Sequence, residues 1–256
     1  MLNEKNNRPI VVIDSGIGGL SVLFKLYAAF PYENFVYLCN EAQVPLGNKS
    51  VAKIEAVCKK FINAAKKRNA KLLIVACNTM SLAGERIFKE CGLPVVLVTP
   101  EKYLCGQVKN QIGLTDVNNR SEKIEKILFC TVKSSENPRI VNLAELCGYT
   151  VVGLKKLAAD IEKRGLCVRA RKELAASVTI SGISAEKVKK IYLGCTHYAL
   201  IKDVFSKVYK YAEIVDGTEN ICEEVKKYTE YSPGCGRVRF FGSGRRKAKR
   251  CFYGVF

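Results

Sequence analysis

The feature that most constrains the fold is an alternation of short apolar runs with segments of helical periodicity. "PIVVID" is followed by "LSVLFKLYAAF", and "NFVYLCN" is followed by "SVAKIEAVCKKFINAAKKR". A run of four to eight apolar residues fits a buried strand, and apolar residues every three or four positions fit a helix packed on it. Strands that alternate with helices in this way predict an α/β fold with mostly parallel sheets.

The alternation restarts in the second half of the chain, where "KIEKILFCTV", "YTVVG", "KKIYLG" and "AEIVD" are predicted strands. Boundaries near Pro100 and Asp216 divide the two series. We therefore predict two similar α/β domains, residues 1–99 with 216–256 and residues 100–215. We expect them to face each other across a cleft, because open α/β sheets bind ligands beyond the carboxyl ends of their strands.

Composition limits the cellular setting. No run approaches the roughly 18–20 apolar residues that cross a membrane, and the first residues lack the apolar stretch of a signal peptide. We expect a cytoplasmic protein with no membrane contact. The net charge of +18 is spread over many lysines, with one dense run, "RRKAKR", at 245–250. This charge indicates a solvated surface, and the alternatives are attraction of anionic substrates or of nucleic acid.

The chain has twelve cysteines, but none of them form a Cys-x-x-Cys pair. The zinc and redox motifs that use that spacing are therefore excluded, and no metal site is expected. Most of these thiols are interpreted as small buried apolar side chains.

Three segments share one design, a strand that runs into a short turn and then a helix: "IVVIDSGIGGLSVL", "KLLIVACNTMS" and "KKIYLGCTHYAL". The design places Asp14, Cys77, Cys195 and His197, the only histidine, at the carboxyl ends of strands. Backbone N–H groups at a helix start favour a carboxylate or thiolate. "DSGIGG" matches neither common phosphate-loop pattern, and a tight turn is the alternative explanation for its glycines.

Two thiols in matching positions suggest a particular chemistry. One cysteine with a histidine would suggest acyl transfer by a hydrolase that uses Cys195. Two thiols suggest proton transfer on opposite faces of one carbon, with each thiol assisted by a neighbour. Asp14 would serve Cys77, and His197 would serve Cys195. Such a reaction inverts a stereocentre without a cofactor.

The stretches "DSGIGGLSVL", "ACNT" and "GCTHY" resemble the glutamate racemases, within the cofactor-independent aspartate/glutamate racemase superfamily. The resemblance implies two α/β domains, a homodimer, and interconversion of L- and D-glutamate to supply peptidoglycan synthesis and so cell shape. It implies catalysis by Cys77 and Cys195 with Asp14 and His197. Some members of the family also interact with DNA gyrase, which makes the basic surface a candidate for contact with gyrase or nucleic acid.

The resemblance also implies a set of substrate-binding residues: Asp14, Ser15, Leu46, Gly47, Asn78, Thr79, Thr131, Thr196 and His197. The chain departs from the family pattern at several of its motifs. Leu46 replaces a tyrosine, Met80 replaces a small residue, and Ala199 replaces a proline. The threonine-rich turn of the second domain is reduced to "CTVKS", which leaves Thr131 and Ser134, and "VVGLKKLA" lacks the glutamate of the corresponding family segment.

Three alternatives to glutamate racemisation stay open from the sequence. The first is racemisation of aspartate or another acidic amino acid. The second is a weakly active paralogue that binds DNA or gyrase through "RRKAKR". The third is the hydrolase that uses Cys195 alone.

Overall fold

The computed structural model describes residues 8–44, 46–105, 125–180, 183–218, 220–229 and 236–254. The chain divides into two compact units, Met1–Val98 with Thr218–Phe256, and Thr99–Gly217. Each unit contains one sheet, and every strand pair in both sheets is parallel. The predicted α/β fold with parallel sheets is confirmed. The cleft stays a prediction.

The first unit has a five-stranded sheet with strand order β4-β3-β1-β2-β9. Its strands are β1 (Ile10–Asp14), β2 (Phe35–Cys39), β3 (Leu72–Val75), β4 (Val95–Leu97) and β9 (Val238–Phe241). Its helices, numbered along the described part of the chain, are α1 (Leu20–Ala29), α2 (Val51–Lys66), α3 (Asn78–Ala83), α4 (Glu85–Lys89), α11 (Ile221–Lys226) and α12 (Arg245–Tyr253). Two short 3₁₀ turns, Glu41–Gln43 and Leu46–Asn48, precede α2.

The second unit has a four-stranded sheet with strand order β6-β5-β7-β8. Its strands are β5 (Glu125–Cys130), β6 (Tyr149–Gly153), β7 (Val188–Leu193) and β8 (Glu213–Asp216). Its described helices are α5 (Val132–Ser135), α6 (Pro138–Leu146), α7 (Leu157–Arg164), α8 (Val168–Val178), α9 (Thr196–Ala199) and α10 (Lys202–Val208).

The apolar runs of the sequence become central strands because both faces of these sheets are covered. All residues of β1, β2 and β3 are buried. A parallel sheet with helices on both faces has strands that are apolar throughout rather than alternating. One apolar cluster joins alternate residues of these strands to the buried stripe of α2, which includes Ile54, Val57 and Phe61.

The structure differs from the sequence predictions in three elements. The segments "MSLAGERIFKECG" (80–92) and "YALIKDVFSKVYK" (198–210) each predict one continuous helix. In the structure the first begins at Asn78 and is divided at Gly84, and the second is divided between Ala199 and Lys202. A Cβ at Gly84 would lie 2.8 Å from Cys58 Sγ, so close packing requires glycine where the first helix breaks. Strand β9 was not predicted, and it pairs with β2 at the edge of the sheet. No helix in the described ranges combines the length and the apolar character needed to cross a membrane.

Candidate active site

Asp14 is the last residue of β1, and its side chain is fully buried. Its Oδ1 accepts hydrogen bonds from the backbone N–H of Gly16 at 2.9 Å and from Ser15 Oγ at 3.4 Å. These donors stabilise a carboxylate in a buried place. The "DSG" turn thus holds one acidic group at the carboxyl edge of the first sheet.

Gly19 allows helix α1 to begin directly against this turn. A Cβ at Gly19 would lie 2.6 Å from Asp14 Cβ and 2.9 Å from the Tyr37 hydroxyl. The Tyr37 hydroxyl in turn donates a hydrogen bond to the carbonyl of Gly16 at 2.7 Å. The glycine therefore serves close approach between the helix start and the carboxylate.

Cys77 follows β3 and occupies the cap position immediately before α3, with 7% of its surface exposed. Its Sγ lies 3.8 Å from Ser15 Oγ, within hydrogen-bonding distance for sulfur. Ser15 also contacts Asp14, so one hydroxyl joins the thiol to the carboxylate. Asn78 and Thr79 form the first turn of α3 and are buried. The structure therefore brings Asp14, Ser15 and Cys77 together in one unit.

Leu46 and Gly47 lie in the 3₁₀ turn that packs against α3. The Leu46 side chain is buried in the same apolar cluster as Met80 and Ile54. The leucine that stands in place of the family tyrosine is thus a core side chain. Gly47 is partly exposed, while Pro45, from the same motif, lies outside the described residues. The role of this segment in binding substrate stays a prediction.

Cys195 occupies the corresponding place in the second unit. It follows β7 through Gly194, caps the short helix α9, and is 7% exposed. A Cβ at Gly194 would lie 3.2 Å from the carbonyl oxygen of Phe129, whose strand neighbours β7. Thr196 and His197 follow Cys195 in the sequence, form the first turn of α9 and are buried.

His197 contacts a carboxylate that the sequence analysis missed. Its Nε2 lies 2.8 Å from Glu162 Oε2, and the two side chains are 4% and 7% exposed. The segment "VVGLKKLA" has no glutamate, as the sequence shows, and Glu162 of α7 lies four residues after it. The available signal was an acidic residue on the apolar face of an amphipathic helix, beside Leu157, Ala158 and Ile161.

Two further groups surround Cys195. Tyr198 is buried, and its hydroxyl donates toward the carbonyls of Leu154 at 3.2 Å and Cys130 at 3.4 Å. Burial raises the pKa of this hydroxyl well above its ordinary value, and the neighbouring Cys195 and Cys130 thiols add to the effect. Burial, with a further contribution from Cys195, raises the pKa of Cys130 to about 12. Both groups therefore remain protonated at neutral pH and add no negative charge beside Cys195.

Thr131 follows β5, which neighbours β7 in the sheet, and caps the short helix α5. Its Oγ1 lies 3.1 Å from Ser134 Oγ. The two hydroxyls of the "CTVKS" turn thus form one pair at the carboxyl edge that also carries Cys195. Their contact with substrate stays a prediction.

The arrangement in each unit suits proton transfer by a thiol. Each cysteine is nearly buried and lies in the same unit as a buried carboxylate. Ser15 joins Cys77 to Asp14, and in the second unit Glu162 contacts His197, which lies two residues after Cys195. Within the described residues, no three His, Cys, Asp or Glu side chains are grouped so that they could hold a metal ion.

Among the curated proteins that this chain matches are glutamate racemases, the family that the three motifs resemble. A curated relative, glutamate racemase 3 from Caldanaerobacter subterraneus subsp. tengcongensis, is 32% identical over 164 residues, which are 60% of this chain and 60% of that relative. The chain is similar to the glutamate racemases. The resemblance stated from the sequence is thereby confirmed. No protein-family model matches the chain.

Solved glutamate racemases share the fold. The structure from Aquifex pyrophilus has 26% identity and a TM-score of 0.63, and the match covers 92% of this chain and 89% of that one. The structure from Francisella tularensis, in complex with D-glutamate, has 22% identity and a TM-score of 0.69, over 97% and 94% of the two chains. The sequence matches to curated glutamate racemases span less than two thirds of the relatives' own length.

The dense basic run at 245–250 forms helix α12 of the first unit. Its apolar side is buried through Ala248 and Phe252, and the Phe252 ring stacks on that of Phe24 with centroids 5.3 Å apart. Lys247 forms an ion pair with Glu41, while Arg245 and Arg246 are exposed. Much of the run is thus the solvated face of a packed helix, and contact with gyrase or nucleic acid stays a prediction.

Proposed function

We propose that this chain is a glutamate racemase that interconverts L- and D-glutamate by proton transfer between two thiols and the substrate, with no cofactor. The observation that carries the proposal is the matched placement of Cys77 and Cys195. Each thiol follows the carboxyl end of a strand, caps the next helix and lies in the same unit as a buried carboxylate. Similarity to glutamate racemases supports the assignment of substrate.

In the proposed reaction one cysteine begins as a thiolate and the other as a thiol. The thiolate takes the α-proton of glutamate, which forms an S–H bond and leaves the electron pair of the broken C–H bond on the substrate. The other thiol gives its proton to the opposite face of the α-carbon and becomes a thiolate. The substrate gains as many protons as it loses, and the configuration is inverted.

In this proposal, neighbouring groups accept a proton from each thiol and return it. Asp14 acts on Cys77 through the hydroxyl of Ser15. Glu162 accepts a hydrogen bond from the Nε2–H of His197, so that proton exchange by the ring takes place at Nδ1. Asn78, Thr79, Thr196 and Thr131 offer hydrogen-bonding groups for the substrate. The weak acidity of the α-proton makes such prearranged polar groups necessary.

The proposed product has an evident use. D-glutamate would supply peptidoglycan synthesis, as the family resemblance implies, and the racemase would act in the cytoplasm as a homodimer. The Francisella tularensis protein binds D-glutamate, which supports the same ligand here. The net charge of +18 favours an acidic substrate over a neutral one.

The test is incubation with L- or D-glutamate in deuterated water, followed by optical rotation and α-proton exchange. We expect both signals with the unchanged chain and loss of racemisation with Cys77→Ser or Cys195→Ser. Cys147→Ser is the matched control, because it changes a buried cysteine just after α6 and should retain activity. Thermal unfolding of each variant separates loss of chemistry from loss of fold.

Other outcomes would contradict the proposal. Racemisation of aspartate but not glutamate would overturn the substrate. Activity that survives Cys77→Ser but not Cys195→Ser would indicate a single-thiol hydrolase. A folded chain that exchanges the α-proton of neither amino acid would not be a racemase of acidic amino acids.

A further inference from the structure

The first unit contains a cavity of about 490 Å³ at the edge of its sheet opposite the candidate catalytic residues. Residues at the amino ends of β1, β2 and β9 line it, whereas Asp14 and Cys77 lie at the carboxyl ends of β1 and β3. A strand of five residues spans roughly 17 Å. The cavity is therefore a separate feature of the sheet, outside the site described above.

Strand β9 supplies one wall of the cavity through its alternating side chains. Arg237, Arg239 and Phe241 line the cavity, and successive side chains of a strand point to opposite faces. Phe240, between them, packs instead on the ring of Tyr37 at a centroid distance of 6.0 Å. Both arginines of this edge segment thus lie on the cavity side.

The backbone of Arg237 is fixed on the neighbouring strand. Its N–H donates to Asn34 Oδ1 at 3.3 Å, and its carbonyl accepts from Phe35 N at 2.8 Å. Arg239 lies in register with Val36, which also lines the cavity. The position of the two arginines is therefore set by the sheet, although their side chains are exposed.

Arg68, just after helix α2, also lines the cavity. Its guanidinium lies over the Phe241 ring at 4.2 Å from the centroid, and its Nη1 donates to the carbonyl of Ala64 at 2.8 Å. Its Nε is buried and has no hydrogen-bond partner among the described residues. A buried donor of this kind calls for a ligand or solvent acceptor.

Arg8 completes the cationic lining before β1. It donates from Nε to the carbonyl of Asn69 at 3.1 Å and from Nη2 to the carbonyl of Ala70 at 2.8 Å. Asn69 has a positive φ of 53°, which turns the segment after α2 toward this arginine. The guanidinium groups of Arg8 and Arg68 are thus held by backbone carbonyls, Arg239 lies on a paired strand, and Arg237 immediately precedes that strand.

The charge of the cavity is unbalanced. Among the described residues that line it are four arginines and no Asp or Glu. Arg237 and Arg239 form no ion pair with any residue that the structure describes, and the nearby Glu33 is paired with Lys71 at 2.7 Å. Grouped guanidinium charges repel one another, so an anion that binds between them relieves the repulsion.

We propose that this cavity binds a small organic molecule with two phosphate groups. A guanidinium group can donate two parallel hydrogen bonds to the oxygens of one phosphate. A phosphate carries about 1.5 to 2 negative charges at pH 7. Two phosphates therefore match four arginines. Phe241 and Val36 offer an apolar wall to the rest of the ligand, and the volume lies in the range of small-molecule sites, about 300–1,000 Å³.

The test is calorimetric titration of the unchanged chain with inorganic pyrophosphate and with adenosine 5′-diphosphate at constant ionic strength and without glutamate. We expect both probes to bind, with tighter binding of the organic diphosphate. The double change Arg237→Gln and Arg239→Gln should weaken both at least tenfold. The matched control, Arg245→Gln with Arg246→Gln, removes the same charge from exposed sites on α12 and should change the affinity less than twofold.

Several results would overturn the proposal. Equal weakening by the two double variants would indicate diffuse charge rather than a site. Equal affinity for pyrophosphate and adenosine 5′-diphosphate would show that the cavity does not recognise the organic part of a ligand. Binding of neither probe at 1 mM, with retention of a 20-base-pair DNA duplex that depends on Arg237 and Arg239, would assign the arginines to nucleic acid. Racemisation by the cavity variant is followed separately and should persist, so failure here is distinguishable from failure of the proposed function.

Discussion

The imidazole of His197 and the carboxylate of Glu162 are in direct contact, with 2.8 Å between Nε2 and Oε2, and both side chains are almost completely buried. The carboxylate fixes the proton on Nε2 and orients the ring beside the strand end that carries Cys195. A buried carboxylate without a partner would destabilise the fold. The contact therefore also holds α7 against the turn after β7.

The substitution Glu162→Gln is expected to lower kcat by about 10–100-fold, as is common when an orienting partner is changed. The amide can donate as well as accept, so it no longer fixes the proton on Nε2 of His197. Racemisation measured from L- and from D-glutamate checks this. Glu145→Gln, on the exposed side of α6, is the control and should leave both rates unchanged.

The substitution Asp14→Asn is expected to lower kcat by about 100-fold or more, the usual range for loss of an acid–base group. The amide oxygen can still accept the hydrogen bond from Gly16 N, so the turn should keep its shape. Steady-state kinetics and circular dichroism together check the prediction. An unchanged kcat in a folded variant would exclude Asp14 from the chemistry.

The substitution Gly19→Ala is expected to destabilise the first unit by about 1–3 kcal/mol, the usual cost of overpacking. The backbone of Gly19 has φ of −64°, so the change brings no conformational strain and the cost is steric. The new Cβ would meet Asp14 Cβ at 2.6 Å. Urea unfolding measures the effect. A variant as stable as the unchanged chain would show that the turn shifts to accommodate the added Cβ without cost.

Stability is expected to fall as the pH rises above 9, because two buried thiols resist ionisation. Burial raises the pKa of Cys58 and of Cys130 from an ordinary 9.0 to about 12 in each case. The unfolded chain loses these protons first, so each thiol lowers the free energy of unfolding by up to about 1.4 kcal/mol per pH unit between pH 9 and 12.

Urea unfolding at pH 8, 9 and 10 checks this dependence. Cys58→Ala and Cys130→Ala should each make the decline with pH less steep, although both variants are less stable at pH 8 because a buried side chain is shortened. Cys167→Ala, at an exposed position, should leave the slope unchanged. A decline that is equally steep in all the variants would contradict the assignment to Cys58 and Cys130.

Much of the fold could be predicted from local patterns. Strands such as β1 and β3 are apolar throughout, because both faces of a parallel sheet are buried, and that composition is visible in the chain. β9 has the sequence "VRFF", which is short and interrupted by a charge. Its pairing with β2 joins residues about 200 positions apart, such as Phe35 and Val238, so no local pattern identifies it.

By itself, the sequence determined the positions of Asp14, Cys77 and Cys195 at the ends of strands, because the change from an apolar run to a polar turn is a local property. Only the tertiary structure decided which distant groups contact one another. Glu162 contacts His197, and four arginines from three separate segments line one cavity. Such contacts are set by the packing of helices and strands in three dimensions, and the separation of these residues along the chain carries no trace of it.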